Sequence, residues 1–368
     1  MQYKRLFSPY QLKEFHLKNR IYVPPLTIRS FTDDSGLVTD RHLNHYRTIA
    51  EGGAGLVIQE ATAVSRNGRL SLDQLGIWND GQIEGLQKIV NILHSAGMPA
   101  ILQLSHAGLL AAKIENQIAP SGFRYFDDNT WHDAREMTLE EIHLIEQQFI
   151  YGAKRAAAAG YDGVELHASH GYLLSTFLNR QINRRADDYG GDGTLILKNV
   201  IQGIRKIAPD KFIIGCRIGA FEPELEDGLS HAQWLEENTF DFIDVYLGCE
   251  WASRPYTPDK YPFSPSVYGA ECFKQVVSIP VFAAHQIRTG ADAESILQNT
   301  GVDMVAIGRG TLVNHHWGND VRAGRDAGLC LNCKTCMWES FPEKCPGRLR
   351  LNQLRHQDSE EGPACIST

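Results

Sequence analysis

The sequence lacks any long apolar run. Nowhere in its 368 residues do about 18 uninterrupted apolar side chains occur, so a membrane-spanning helix is not supported. Its amino terminus, MQYKRLFSPYQLKEFHLKNR, has no apolar stretch of the kind that opens a secretory leader, and a cytoplasmic location is expected. Basic charge is not in excess either. The 36 Lys and Arg against 44 Asp and Glu give a formal charge of -8, with no basic run able to neutralise phosphates. Nucleic acid and membrane surfaces are therefore not expected as partners, and a small-molecule substrate is. Also missing is a G-x-G-x-x-G turn between the first strand and a helix, which weakens an open nucleotide-binding sheet.

Cysteine is sparse until the carboxyl end. Cys216, Cys249 and Cys272 stand in apolar contexts and read as core thiols in a reducing compartment. Cys330, Cys333, Cys336 and Cys345 are spaced C-x2-C-x2-C-x8-C, four thiols that could hold zinc or a [4Fe-4S] cluster, or equally remain a metal-free tail. The last residues, HQDSEEGPACIST, read as a solvated tail.

What is present is a globular composition, 43% hydrophobic and 22% charged, ample for one large core. Short β-branched runs alternate with helical stretches. The strand candidates are Ile21–Thr27, Gly55–Glu60, Pro99–Ser105, Gly163–His167, Phe212–Arg217, Phe242–Leu247, Val281–Ala284 and Met304–Ile307. Between and after them, helices are expected over Thr39–Glu51, Gln82–Ala96, Thr138–Ala159, Leu195–Ile207, His231–Glu237, Val267–Val277, Ala291–Gln298 and Thr311–Ala327. Eight β/α units predict a closed (β/α)8 TIM barrel over residues 1–328, with a Cys-containing extension over 329–368.

In such a barrel the active site lies at the carboxyl ends of the strands. Thr27, Glu60, Gln103, His167, Arg217 and the Gly308-Arg309 pair stand at those ends and are expected to converge on one mouth. Arg217 closes an apolar run and requires an anionic or electron-rich partner. Gly308-Arg309, entering a helix after the eighth strand, makes a phosphate seat from backbone amides and one guanidinium. His167, His170 and Tyr172 crowd the end of the fourth strand. Two histidines three apart also admit a metal-dependent hydrolase on the same barrel, although no carboxylate-rich ligand set accompanies them.

Ordered motifs then carry a resemblance: LKNRIYVPPLT, GLVTDRHLNHYRTIAEGGAGLVIQEATAV, LGIWND, ILQLSHAG, ELHASHGYLLSTFLN, NRRADDYGG and VDMVAIGRG. Together they resemble the Old Yellow Enzyme family of flavin-dependent ene-reductases over nearly the whole chain, and HASHGY and QLSHAG are most similar to the YqjM-like and dienoyl-CoA-reductase-like branch. The resemblance implies non-covalent FMN over the barrel mouth, NADH or NADPH as reductant, and an enone or enal substrate. It assigns Pro25, Thr27, Ala61, Gln103 and Arg217 to the flavin, Gly308 and Arg309 to its phosphate, His167 and His170 to the substrate carbonyl, and Tyr172 to proton delivery. Ala284 and His285 fall where the family usually has glycine beside the phosphate, so His285 is expected to add a side-chain contact. Arg29 replaces a tyrosine of the YqjM-like branch and is a candidate for substrate binding, or else a surface partner of Asp33 or Asp34. A homo-oligomer is expected, and a flavin-binding protein without turnover is the remaining alternative.

Overall fold

In a computed structural model of the chain, residues 2–112, 117–127, 130–339 and 341–360 are described. Eight parallel strands close into a barrel: Ile21–Val23, Leu56–Ala63, Ala100–Ser105, Gly163–Ala168, Ile213–Gly219, Phe242–Tyr246, Val281–Ala283 and Met304–Ala306. All eight expected strands are present, in chain order around the barrel. The first stops at Val23 because Pro24 and Pro25 have no N–H to donate to a ladder.

Side chains alternate across each strand, and the alternation separates two cores. Leu102, Leu104, Val164, Leu166, Ile214, Cys216, Ile243 and Val245 face outward into the layer beneath the helices. Tyr22, Leu56, Ile58, Ile101, Ile213, Phe242, Phe282 and Met304 face inward and fill the barrel. A hairpin of Tyr10–Leu12 and Phe15–Leu17 adds Leu12 and Leu17 to this inner cluster, each 1% exposed. Burial of a leucine is worth about 1.5–3 kcal/mol, so the hairpin is anchored as a plug in the end opposite the loops that carry Thr27, His170 and Arg309.

The helices follow from their ends. Leu139–Ala159 starts at Thr138, whose hydroxyl accepts from Glu141 N while Glu141 Oε2 accepts from Thr138 N, and it stops on Gly160 in the left-handed conformation (φ 93). Two helices differ from expectation. The one expected at His231–Glu237 begins earlier, at Leu225, because Glu224 and Asp227 cap it and Gly228 lets the first turn approach strand five; a Cβ there would stand 2.1 Å from the Ala220 carbonyl oxygen. The stretch 311–327 is two short helices, Arg309–Val313 and Trp317–Arg322. Asn314 interrupts it, since its Oδ1 accepts from His316 N and its Nδ2 donates to Asp320.

The long connection after strand three carries a small sheet of Ile118–Ala119, Phe123–Asp127 and Thr130–Glu136. In the extension, Trp338 Nε1 donates to the Leu312 carbonyl and Arg348 does the same, fastening it to the eighth β/α unit; a helix, Pro346–Glu360, follows. The expected solvated tail begins within this helix, and its remainder, 361–368, lies outside the described residues.

Candidate active site

A cavity of about 470 Å3 opens at the carboxyl ends of the strands. Pro25, Thr27, Ala61, Gln103, His167, His170, Tyr172, Arg217, Ala284, His285, Gly308 and Arg309 all line it. Its volume lies within the roughly 300–1,000 Å3 of small-molecule and cofactor sites.

The floor is a buried polar layer inside the barrel. Inward positions that lower down hold Ile101, Ile213 and Phe242 become Gln103, Arg217 and Asp244 higher up, and strand four contributes Glu165. Strand register places Arg217 level with His167 on one side and Asp244 on the other. Arg217 Nη1 donates to Asp244 Oδ2 at 3.1 Å, Tyr22 donates its hydroxyl to Asp244 Oδ1 at 2.7 Å, and Gln103 Nε2 donates to Glu165 Oε1 at 2.7 Å. Burial, followed by the charge of Asp244, pushes the Glu165 carboxyl well above its ordinary range, so Glu165 is held as the neutral acid. Asp244 is raised by burial too, but the Arg217 guanidinium opposes that, and the ionised pair is Arg217–Asp244. The anionic partner required by Arg217 is thus supplied within the protein. Its buried Nε still has no hydrogen-bond partner.

The wall is built by the turn after strand four. His167 Nε2 and His170 Nδ1 stand 3.0 Å apart, and His167 Nδ1 is 3.4 Å from Ser105 Oγ. Burial, then neighbouring positive charge, pushes both imidazoles well below their usual range, so both are neutral. A neutral pair has two N–H groups, one of which is used between the rings. With His167 as the inner donor, Ser105 can donate to His167 and His170 keeps one N–H for a ligand. His170 adopts φ 62 and Gly171 φ 74, and a Cβ on Gly171 would stand 2.7 Å from the Trp251 ring. This left-handed pair turns the imidazole back over the mouth. Tyr172 lies edge-on to His167, ring centroids 4.4 Å apart. Burial raises its phenol pKa, while the charges of Arg29 and then Arg217 pull it down.

One sequence expectation needs correction. Glu60 does not reach the mouth: a register shift between Gln59 and Thr62 turns it outward and Ala61 inward. There Glu60 accepts from Ile28 N at 2.9 Å and from the Tyr46 hydroxyl at 3.2 Å, and burial lifts its pKa to about 8. The cysteines are dispersed: Cys330 lines the cavity, Cys333 and Cys336 are exposed, and Cys345 packs beside Trp338, so among the described residues no group of three metal-ligating side chains forms. The helix after strand eight, Arg309–Val313, is little more than one turn.

Arg29 is exposed and off the cavity wall, although its charge reaches Tyr172. Of its two candidate surface partners, Asp34 is engaged by Arg66 and Arg69 and Asp33 accepts from Ser35. Sequence reasoning overlooked Tyr246, which stacks on His170 at 4.0 Å, and Arg288 and Asn332, which also line the cavity. Tyr246 was detectable as the third inward position of FIDVY, after Phe242 and Asp244; Asn332 had no signal, because only folding brings it to Arg309, with which it hydrogen-bonds.

The mouth of this closed parallel barrel thus joins a guanidinium, an amide, paired imidazoles and a phenol. Residues 5–327 match the NADH:flavin oxidoreductase / NADH oxidase family, and the chain belongs to it, the Old Yellow Enzyme family of flavin-dependent oxidoreductases. Among solved structures it is similar to morphinone reductase in complex with tetrahydroNAD (27% identity, TM-score 0.72, 88% of this chain and 91% of that one). It shares the fold of an old yellow enzyme homologue from Zymomonas mobilis (23%, TM-score 0.73, 92% and 99%) and of 2-naphthoyl-CoA reductase in complex with 2-naphthoyl-CoA (24%, TM-score 0.84, 91% and 55%). The chain therefore spans about half the length of 2-naphthoyl-CoA reductase. No helix among the described residues is long and apolar enough to cross a membrane.

Proposed function

We propose that the chain binds FMN in this cavity and reduces the activated C=C bond of an α,β-unsaturated carbonyl compound at the expense of NADH or NADPH. The observation that carries the reading is the paired imidazoles and the phenol on the wall of the cavity whose floor holds Arg217 and Gln103. The cofactor fits the residues present: Arg217 has a buried Nε without a partner, and Gln103, tethered through its amide nitrogen to Glu165, keeps its carbonyl for a ring N–H. Bound FMN would supply the hydride and accept its replacement from the nicotinamide. Thr27, Ala61 and Gln103 would hold the ring system, and Arg217 would favour its electron-rich form.

His170, with His167 behind it, would donate to the carbonyl oxygen and polarise the double bond. Tyr172 keeps its proton across the working pH range because its pKa is raised. It would release that proton to the α-carbon as charge develops on the substrate, with Arg29 and Arg217 easing the loss. The test is an absorption spectrum of the purified protein, followed by anaerobic NADH or NADPH and then an enone. Bleaching by the nicotinamide and recovery on adding enone is the expected result; a colourless protein that takes up no added FMN rejects the reading.

A further inference from the structure

One end of the cavity gathers basic side chains from the connections after strands seven and eight. His285 and Arg288 come from the segment after strand seven and Arg309 from the turn after strand eight, and all three line the wall. His285 adopts φ 81 and Gln286 φ 61, two successive non-glycine residues in the left-handed region. Such conformations are uncommon outside glycine and persist where the surrounding structure holds them. The imidazole is half-buried, its ring edge-on to Tyr246 at 5.5 Å, and its buried Nδ1 has no hydrogen-bond partner. The main chain is fixed from the other side, since Ser264 Oγ donates to the His285 carbonyl at 3.1 Å.

From this arrangement we infer that His285 is a phosphate ligand whose protonation is coupled to cofactor binding, so that one proton enters the site with FMN. This rests on the FMN reading above. The groups around the ring are Arg309 from the eighth unit, Arg217 on strand five, Arg288 on its own loop, the Tyr246 phenol on strand six with His170 stacked behind it, and Cys330 and Asn332 of the extension on the same wall. No carboxylate is among the cavity-lining residues. Burial first, then Arg309, Arg217 and Arg288, depress the imidazole, so it is neutral in the free protein. A phosphate at Arg309 reverses the sign of that field: the ring gains an anion to pair with, and Nδ1 or Nε2 gains an acceptor for a new N–H.

Above about pH 7 the phosphate is already close to doubly ionised, its second pKa being near 6, so its own titration no longer drives affinity. A proton taken up at His285 then makes FMN affinity fall with pH, by at most about tenfold per unit. The experiment measures FMN and riboflavin binding to flavin-stripped protein between about pH 7 and about pH 8.5, with calorimetry in two buffers of different ionisation enthalpy to count protons. Parent, His285→Asn and His285→Gly are compared; both replacements tolerate the left-handed backbone, so loss of folding does not confound them. The expected result is that the parent's Kd for FMN rises by roughly tenfold with net proton uptake, while riboflavin and both variants show neither effect. A flat FMN profile in the parent, an equal slope for riboflavin, or an unchanged slope in the variants overturns the inference. If the parent binds neither flavin at any pH, the flavin reading itself fails, and that outcome is distinct from the others.

Discussion

Arg217 and Asp244 face each other on adjacent strands, Nη1 to Oδ2 at 3.1 Å, with the arginine 7% exposed and the aspartate fully buried. Neither can be removed without leaving the other charge unpaired in a low-dielectric interior. Replacing one member of a buried ion pair typically costs about 3–5 kcal/mol. Asp244→Asn is therefore expected to lower unfolding stability by that order, measured by urea denaturation at constant pH. A loss below about 1 kcal/mol would mean that Glu165 ionises and takes over as the counter-charge.

Tyr172→Phe is expected to slow the reaction of the reduced protein with an enone and to leave its reduction by NADH or NADPH nearly unchanged. Rapid-mixing spectroscopy separates the two halves. An unaltered reaction with enone would show that water or another acid delivers the proton.

His167 and His170 share a hydrogen bond, so they are not independent donors. Each single alanine substitution should weaken binding of a phenolate ligand by about 1–3 kcal/mol. The double variant should lose less than the sum, because removal of either ring already disorients the other. Strict additivity in ligand titrations would show that the two rings act separately.

Glu60 supplies a pH dependence whose sign can be worked out. Its folded pKa, about 8, lies above its ordinary 4.5, so the folded state holds one more proton than the unfolded state between those values. Its contribution to stability is complete below about 4.5 and is lost as pH rises through about 8, at roughly 1.4 kcal/mol per unit within the window. Glu60→Gln keeps an acceptor for Ile28 N and cannot ionise. The difference in unfolding free energy between parent and variant should shift in the variant's favour by a few kcal/mol from about pH 5 to about pH 8. A constant difference would place the titration elsewhere; Glu222, with a similar value from burial, is the next candidate.

The strand order could be read from the sequence because each barrel strand is a short apolar run between helical stretches, a local signal. Gly228 and Asn314 show where such reading stops. One permits a helix to begin at Leu225 and the other breaks the stretch after Arg309, and both effects depend on neighbours that exist only in the fold. At the site, strand-end residues were legible by position. The outward turn of Glu60 was not, because one extra residue in the ladder reverses every side chain after it. Arg217 was legible as a charge needing a partner, but that the partner is Asp244 follows from register, which no single-strand pattern records.

Tyr22, Ile101, Ile213, Phe242 and Phe282 fill the barrel beneath the polar floor, with Leu12 and Leu17 of the hairpin packed among them, so the cavity has a closed bottom. Traffic consequently has one entrance. Any coenzyme and any substrate that both need the floor around Gln103 and Arg217 must arrive by the same door, and the first must leave before the second can enter. Double-reciprocal plots at several fixed concentrations of the co-substrate should then run parallel, and each reactant at high concentration should obstruct the other.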